Sequence, residues 1–122
     1  MSLRGQTALV TGAGKRIGEA IALALGEAGV NIVTHFRQSA RRAEGLRDLL
    51  RRRGVQAFCI QADFEKLDEV DSLIDRACAE AGPIDILVNN ASEFRAETIE
   101  ALTHANFQHD LDINAWTPLA LT

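Results

Sequence analysis

The 122 residues carry 47% hydrophobic side chains and a net charge of -4, with a pI near 5.3. That is enough apolar material for one core, and the acidic balance gives no electrostatic reason to expect nucleic acid or an anionic membrane surface as a partner. No apolar run approaches the roughly 20 residues of a bilayer span, so a membrane role is not expected.

The first predicted element is a short buried strand, Thr7 to Val10. A glycine-rich turn follows, and from Arg16 an amphipathic helix runs to Gly29 with Ile17, Ala20, Ile21, Ala24, Leu25 and Ala28 on its inward stripe. A second strand spans Val30 to His35. The next helix runs from about Ser39 to Arg53 with Ala43, Leu46, Leu49 and Leu50 inward, and Gly54 closes it. Gln56 to Gln61 is a third strand. Lys66 to Ala81 is a third helix, with Leu67, Val70, Ile74, Ala77 and Cys78 on one face and Gly82-Pro83 ending it. Ile84 to Asn89 is a fourth strand, nearly continuous in apolar residues, as when helices cover both faces of a strand. After a polar loop, Thr103 caps a last helix through Phe107, Leu111, Ala115 and Leu119.

No repeat, linker or low-complexity tract interrupts this alternation, so residues 1–122 read as one domain. Four strand-helix units predict an α/β fold, a Rossmann-type doubly wound parallel sheet, with strand order 3-2-1-4 if it follows the dinucleotide-binding topology. Ligands of such sheets sit beyond the carboxyl ends of the strands where the order reverses. The unusual residues converge there: Gly12 to Gly18, His35 to Ser39, Asp63, and Asn89 to Phe94.

A strand feeding a glycine turn and a helix N-terminus builds an anion site, because first-turn N–H groups lack partners and the helix dipole is positive there. The same turn can also serve only to join strand to helix. The spacing discriminates. G-x-G-x-x-G would place its third glycine at Ile17, and a phosphate loop of the G-x-x-x-x-G-K type fails at the same residue. The pattern that fits is T-G-x-x-x-G-x-G, with Arg16 in place of the middle glycine. This resembles the short-chain dehydrogenase/reductase family, and the Gly12-Ala-Gly-Lys-Arg-Ile-Gly18 variant is most similar to its pteridine reductase branch. Within that resemblance Gly12, Lys15, Arg16, Ile17 and Gly18 are implied to contact the cofactor.

At the end of the second strand, Thr34-His-Phe-Arg-Gln-Ser-Ala40 holds no carboxylate before Glu44. An NAD site usually presents an acid there; Arg37, Ser39 and the helix N-terminus suit a 2′-phosphate instead. Ser39 also reads as an ordinary N-cap and Arg37 as a solvated loop residue. The stretch is similar to the pteridine reductases' His-aromatic-x-x-Ser segment, which implies NADP as cofactor, with His35, Arg37, Gln38 and Ser39 against it. Asp63 matches the family position that bonds the adenine amino group, with Phe64 beside it; a carboxylate there can equally cap the following helix.

Leu87-Val-Asn-Asn-Ala-Ser92 resembles the family's Asn-Asn-Ala-Gly motif with Ser for Gly. Its reading assigns structural bracing to Asn89 and the cofactor face to Asn90, Ala91 and Ser92. The branch resemblance implies Arg16, Ser92 and Phe94 as substrate contacts, with Phe94 stacking a flat pterin; a lone loop Phe is otherwise packing. Asn114 matches the family's fourth catalytic residue, whose backbone helps hold a water, and Pro118 is expected to kink its helix.

The chain has no tyrosine, and its lysines are Lys15 and Lys66. The family's Tyr-x-x-x-Lys pair and its serine are therefore not represented, and the resemblance covers the first half of a family member. The expectation is the cofactor-binding part of an NADPH-dependent reductase of a pterin or similar heterocycle, inactive by itself. The whole protein is expected to be a homo-oligomer acting on a small molecule. Alternatives are a reductase of another carbonyl, such as an acyl-carrier ketone, or a non-catalytic nucleotide-binding module. Cys59 and Cys78 have neither metal-ligand nor redox-motif spacing, so no metal is expected. Reduced core cysteines, and a start without a signal peptide's apolar core, make the cytoplasm the expected compartment.

Overall fold

The computed structural model describes residues 2–14 and 16–122. The elements run β1 (Thr7–Val10), α1 (Arg16–Glu27), β2 (Asn31–Phe36), α2 (Ala40–Arg52), β3 (Ala57–Gln61), α3 (Leu67–Ala81) and β4 (Ile86–Val88). Then come α4 (His104–Leu111), a π-helical turn (Asp112–Trp116) and α5 (Thr117–Leu121). The four strands form one parallel sheet in the order β3-β2-β1-β4, with Ala8 opposite Ile32 on one side and Ile86 on the other. This is the doubly wound, Rossmann-type sheet that the alternation predicts.

Strand alternation splits the core in two. Ala8, Val10 and Ile32 pack with Ala22, Leu46 and Leu50 of α1 and α2. Leu9, Val33 and Ile60 pack with Val70, Leu73 and Ala77 of α3 and with Ile113 and Leu121. Every residue of β1 is therefore buried, and its carboxyl end opens at the middle of the sheet edge where the site forms.

Helix faces differ from expectation in informative ways. In α1 the buried residues are Gly18, Ala22 and Gly26, whereas Ile17 is 69% exposed and Ala20, Ala24 and Ala28 face outward. Close approach decides this rotation. A Cβ at Gly18 would lie 2.4 Å from the Gly12 carbonyl oxygen, and one at Gly26 would lie 2.5 Å from Leu50 Cδ2. In α3 Leu73 is buried and Leu67 is half exposed.

The last helix starts as expected, with Thr103 Oγ1 accepting the Asn106 N–H at 3.1 Å. Its inward residues, however, are Ile113, Thr117 and Leu121, while Phe107, Leu111, Ala115 and Leu119 are exposed. The π turn adds a residue and shifts the periodicity. Both the N–H and the hydroxyl of Thr117 bond the Asp112 carbonyl, the hydroxyl at 2.8 Å, and Pro118 supplies no N–H to restore the α pattern. Leu67, Leu111, Ala115, Trp116 and Leu119 consequently line a shallow apolar groove on the outer face.

Candidate functional site

A cleft of about 270 Å³ opens at the carboxyl ends of the strands, where the order turns from β1 to β4. It gathers Gly12, His35, Arg37, Gln38, Ser39, Asp63, Phe64, Ala91 and Ser92 from the sequence-based set. Gly14, Phe36 and Glu93, from the same stretches but with no role assigned, also line it, as do Ala62 and Ile113, which the sequence did not point to. Arg16, Ile17, Gly18, Asn90, Phe94 and Asn114 lie off its lining, and Lys15 lies outside the described residues.

The cleft floor is a knot between the ends of β1 and β4. Thr11 Oγ1 accepts N–H bonds from Asn90 (3.0 Å) and Ala91 (2.9 Å) and lies 3.3 Å from the Val88 carbonyl. Asn90 Nδ2 donates to the carbonyls of Thr11 (3.1 Å) and Gly12 (3.2 Å). Bracing of the strand ends thus falls to Asn90, while the exposed amide of Asn89 donates to the Pro118 carbonyl at 3.4 Å. Both residues lie beyond the end of β4 at Val88, and there the Asn90 side chain folds back onto the end of β1. Gly12, at φ 62°, sits so close that an added Cβ would lie 2.9 Å from Ala91 Cα. Gly18 has the same role from the helix side, since its Cβ would also meet Asn90 Nδ2 at 2.6 Å.

His35 is 2% exposed and locks the wall of the cleft. Its Nδ1 accepts the Gly12 N–H at 3.1 Å, so Nε2 carries the proton and donates to the Ala62 carbonyl at 2.9 Å. The ring stacks on Phe64 at 4.2 Å between centroids, with 5° between the planes. Burial outweighs the hydrogen bond to Ala62 and lowers its pKa to about 4. A neutral imidazole with both nitrogens engaged offers a ligand only ring surface. His35 therefore ties the glycine turn to the ends of β2 and β3, and Phe64 is mostly interior, at 6% exposed.

Arg16, at φ 54°, is left-handed, the conformation that explains a glycine at this place of the motif. Its side chain and Ile17 are exposed. Phe94 is 91% exposed. Ser39 stands at the N-cap of α2 but makes no side-chain cap bond, and its hydroxyl has no hydrogen-bond partner among the described residues. Asp63 lines the cleft, and its Oδ1 accepts the Glu65 N–H at 3.0 Å in a turn ahead of α3, whose N-cap is Lys66 and not Asp63.

Arg37 does not turn toward Ser39 in this state. Its guanidinium faces three carboxylates: Glu93 at 2.6 Å, Glu65 at 3.4 Å and Asp63 at 3.6 Å. His109 of α4 closes the ring, with Nε2 2.6 Å from Glu93 and Nδ1 3.4 Å from Glu65. Asn114 holds Glu93 in place through its side chain, within the π turn. Glu65, Glu93 and His109 could not be found by motif: they come from three separate segments and carry no local period.

A family model for short chain dehydrogenases matches residues 6–122. The chain belongs to that family. The 3-oxoacyl-[acyl-carrier-protein] reductase FabG of Staphylococcus epidermidis is 35% identical over 109 residues, covering 89% of this chain and 45% of the relative. A short-chain dehydrogenase from Burkholderia cenocepacia in complex with NADP superposes with a TM-score of 0.93 at 35% identity, over 99% of this chain and 49% of that one. The FolM alternative dihydrofolate reductase 1 from Brucella canis, complexed with NADP, superposes at 0.92 with 32% identity, over 99% and 49%. The chain thus spans about half the length of these relatives.

Proposed function

We propose that this chain is the cofactor-binding part of an NADP(H)-dependent short-chain reductase. The observation that carries the reading is the end of β2. Where an NAD site would offer an acid to the ribose, His35 is consumed by bracing, and the free polar groups are the Ser39 hydroxyl, Gln38 and the N-terminus of α2. The first turn of α2 has no acidic residue and includes Arg41 and Arg42. Positive side chains at the positive end of a helix are unfavourable unless an anion sits there, and a 2′-phosphate meets that need.

The residues fit a nicotinamide dinucleotide. The cleft lies at the strand-order reversal, Gly12 and Gly14 bring bare backbone to its floor, and Asp63 supplies an acceptor at the far end for an amino group. The cofactor supplies hydride chemistry; this chain binds and orients it. Gly12, Gln38, Ser39, Asp63, Ala91 and Ser92 are the contacts we assign, with Lys15, Arg16 and Ile17 beside the pyrophosphate. Gly18, His35, Phe64 and Asn90 act by shaping that surface. Asn114 keeps its assigned role through its carbonyl, because Pro118 lacks the N–H that an α-helix would offer it.

For substrate we propose a pterin or similar flat heterocycle. Arg16 occupies a left-handed site where glycine costs less, and Phe94 presents an uncovered ring at the same end of the sheet. The likeness to the Brucella FolM structure supports this reading. An acyl-carrier ketone is the second reading, favoured by 35% identity to FabG. Two free cysteines support a cytoplasmic location, and the open groove of Leu67, Leu111, Trp116 and Leu119 supports a homo-oligomer. The intact protein should oxidise NADPH with a dihydropterin as acceptor. Turnover of an acyl ketone without turnover of dihydropterins would overturn the substrate reading.

A further inference from the structure

His109 of α4 meets a carboxylate at each ring nitrogen: Nε2 lies 2.6 Å from Glu93 Oε2, and Nδ1 lies 3.4 Å from Glu65 Oε1. Glu65 belongs to the turn before α3 and Glu93 to the loop after β4, so one imidazole joins three segments at the cleft mouth. A neutral imidazole has one N–H and one lone pair, whereas the imidazolium donates from both nitrogens. Only the charged ring satisfies both carboxylates; the neutral ring turns a lone pair on one of them. The other charges packed around it are Arg37 after β2, which faces Glu93, Glu65 and Asp63, and Arg95 after β4, which pairs at 3.3 Å with Asp110 on the helix of His109 itself. Asp112, opening the π turn, accepts the Gln108 amide. One guanidinium thus stands against three carboxylates, and the cluster is net negative, by one charge less when His109 is protonated.

We propose that His109 is a proton-operated clasp on the cofactor cleft: protonated, it bridges Glu65 and Glu93 and the site holds an anionic dinucleotide more tightly; neutral, it releases one carboxylate and the site loosens. The inference rests on the dinucleotide reading above. Two effects share a sign. The bridge fixes the Glu93 side chain, which lines the cleft beside Ser92, and the added proton offsets repulsion between the carboxylates and the ligand's phosphates. By linkage, a site that prefers the protonated clasp takes up protons when it binds. A histidine in water titrates at about pH 6.5. Of the other two histidines, His35 is kept out of that range by burial, at about 4, and His104 is exposed.

The test is isothermal titration calorimetry of the intact protein with NADH, in two buffers of different ionisation enthalpy, from about pH 6 to about pH 8. NADH is the probe because the 2′-phosphate of NADPH titrates in the same range. The clasp predicts about threefold tighter binding at the acid end and uptake of roughly 0.4 of a proton midway. His109→Gln keeps a donor for Glu93 and does not titrate, so it should bind with a flat pH profile and no uptake. Glu65→Gln should diminish the uptake, since His109 then has a single carboxylate to hold. Both variants are checked for an unchanged melting curve. Uptake that persists in His109→Gln comes from another group and overturns the clasp, as does binding by wild type without proton uptake. If wild type binds neither NADH nor NADPH, the cofactor reading itself falls and takes the clasp with it.

Discussion

The side-chain amide of Asn114 grips the backbone of Glu93 at both ends, accepting its N–H and donating to its C=O, each at 2.9 Å. A residue in a π turn thereby fixes the loop after β4. Neither partner is a neighbour in sequence, and the pairing joins the last helical segment to the cleft wall. Asn114→Ala removes two bonds of about 1 kcal/mol each, reduced here by exposure of the loop. We expect weaker binding of both NADPH and NADH by a few-fold with little change in melting temperature. Unchanged affinity would show that the loop holds its position without the clamp.

His35 makes stability depend on pH in a defined direction. Its folded-state pKa is lowered to about 4 by burial, against 6.5 when unfolded. Between those values the unfolded chain binds a proton that the folded chain refuses, so stability is intact above about pH 6.5 and falls as pH drops toward 4. The slope approaches about 1.4 kcal/mol per pH unit for one group. Denaturant titrations of wild type and His35→Asn from pH 8 to pH 5 should show the variant less stable at neutral pH and without the histidine component of the slope. Parallel curves would contradict the latch.

Arg16 gives opposite signs for stability and binding. Its φ of 54° costs a non-glycine residue on the order of 1 kcal/mol. Arg16→Gly relieves that strain while loosening the unfolded chain, so thermal stability should hold or rise slightly. Affinity for NADPH and for a dihydropterin should both fall. A large drop in melting temperature would mean that the side chain supports the fold instead.

The outer groove predicts association. Leu67, Trp116 and Leu119 are 50%, 49% and 67% exposed, and β4 pairs only with β1 among the described residues. The isolated 122-residue chain should be catalytically inert and self-associate at micromolar concentration. In the intact protein, Leu119→Asp should shift the sedimentation profile toward monomer. An unaltered profile would place the oligomer contact elsewhere.

The strands were legible because each is a short apolar run closed by glycine, proline or a polar turn; their order followed only from the dinucleotide-binding topology, and the glycine spacing carried the family. Side-chain roles were less so. The buried face of α1 is set by Gly18 and Gly26, which have no hydrophobic signature, so the larger Ile17 drew the stripe one residue astray. Asn89 and Asn90 are chemically identical neighbours beyond the end of β4, and only the path of the turn decides that Asn90 reaches the end of β1. His35 stood in the right stretch, but its partners are backbone groups of Gly12 and Ala62, which no pattern records. α4 buries none of its residues, and the inward face begins only within the π turn at Asp112–Trp116, with Ile113 and then Thr117 in place of Leu111 and Ala115.

A cofactor site built for the 2′-phosphate at the start of α2 should discriminate between NADPH and NADH. Equilibrium titration of the intact protein with NADPH and NADH at fixed ionic strength tests it most directly. We expect at least about a tenfold preference for NADPH, roughly 1.4 kcal/mol, largely abolished by Ser39→Ala combined with Arg42→Glu. Equal affinity for the two cofactors, or tighter binding of NADH, would contradict it.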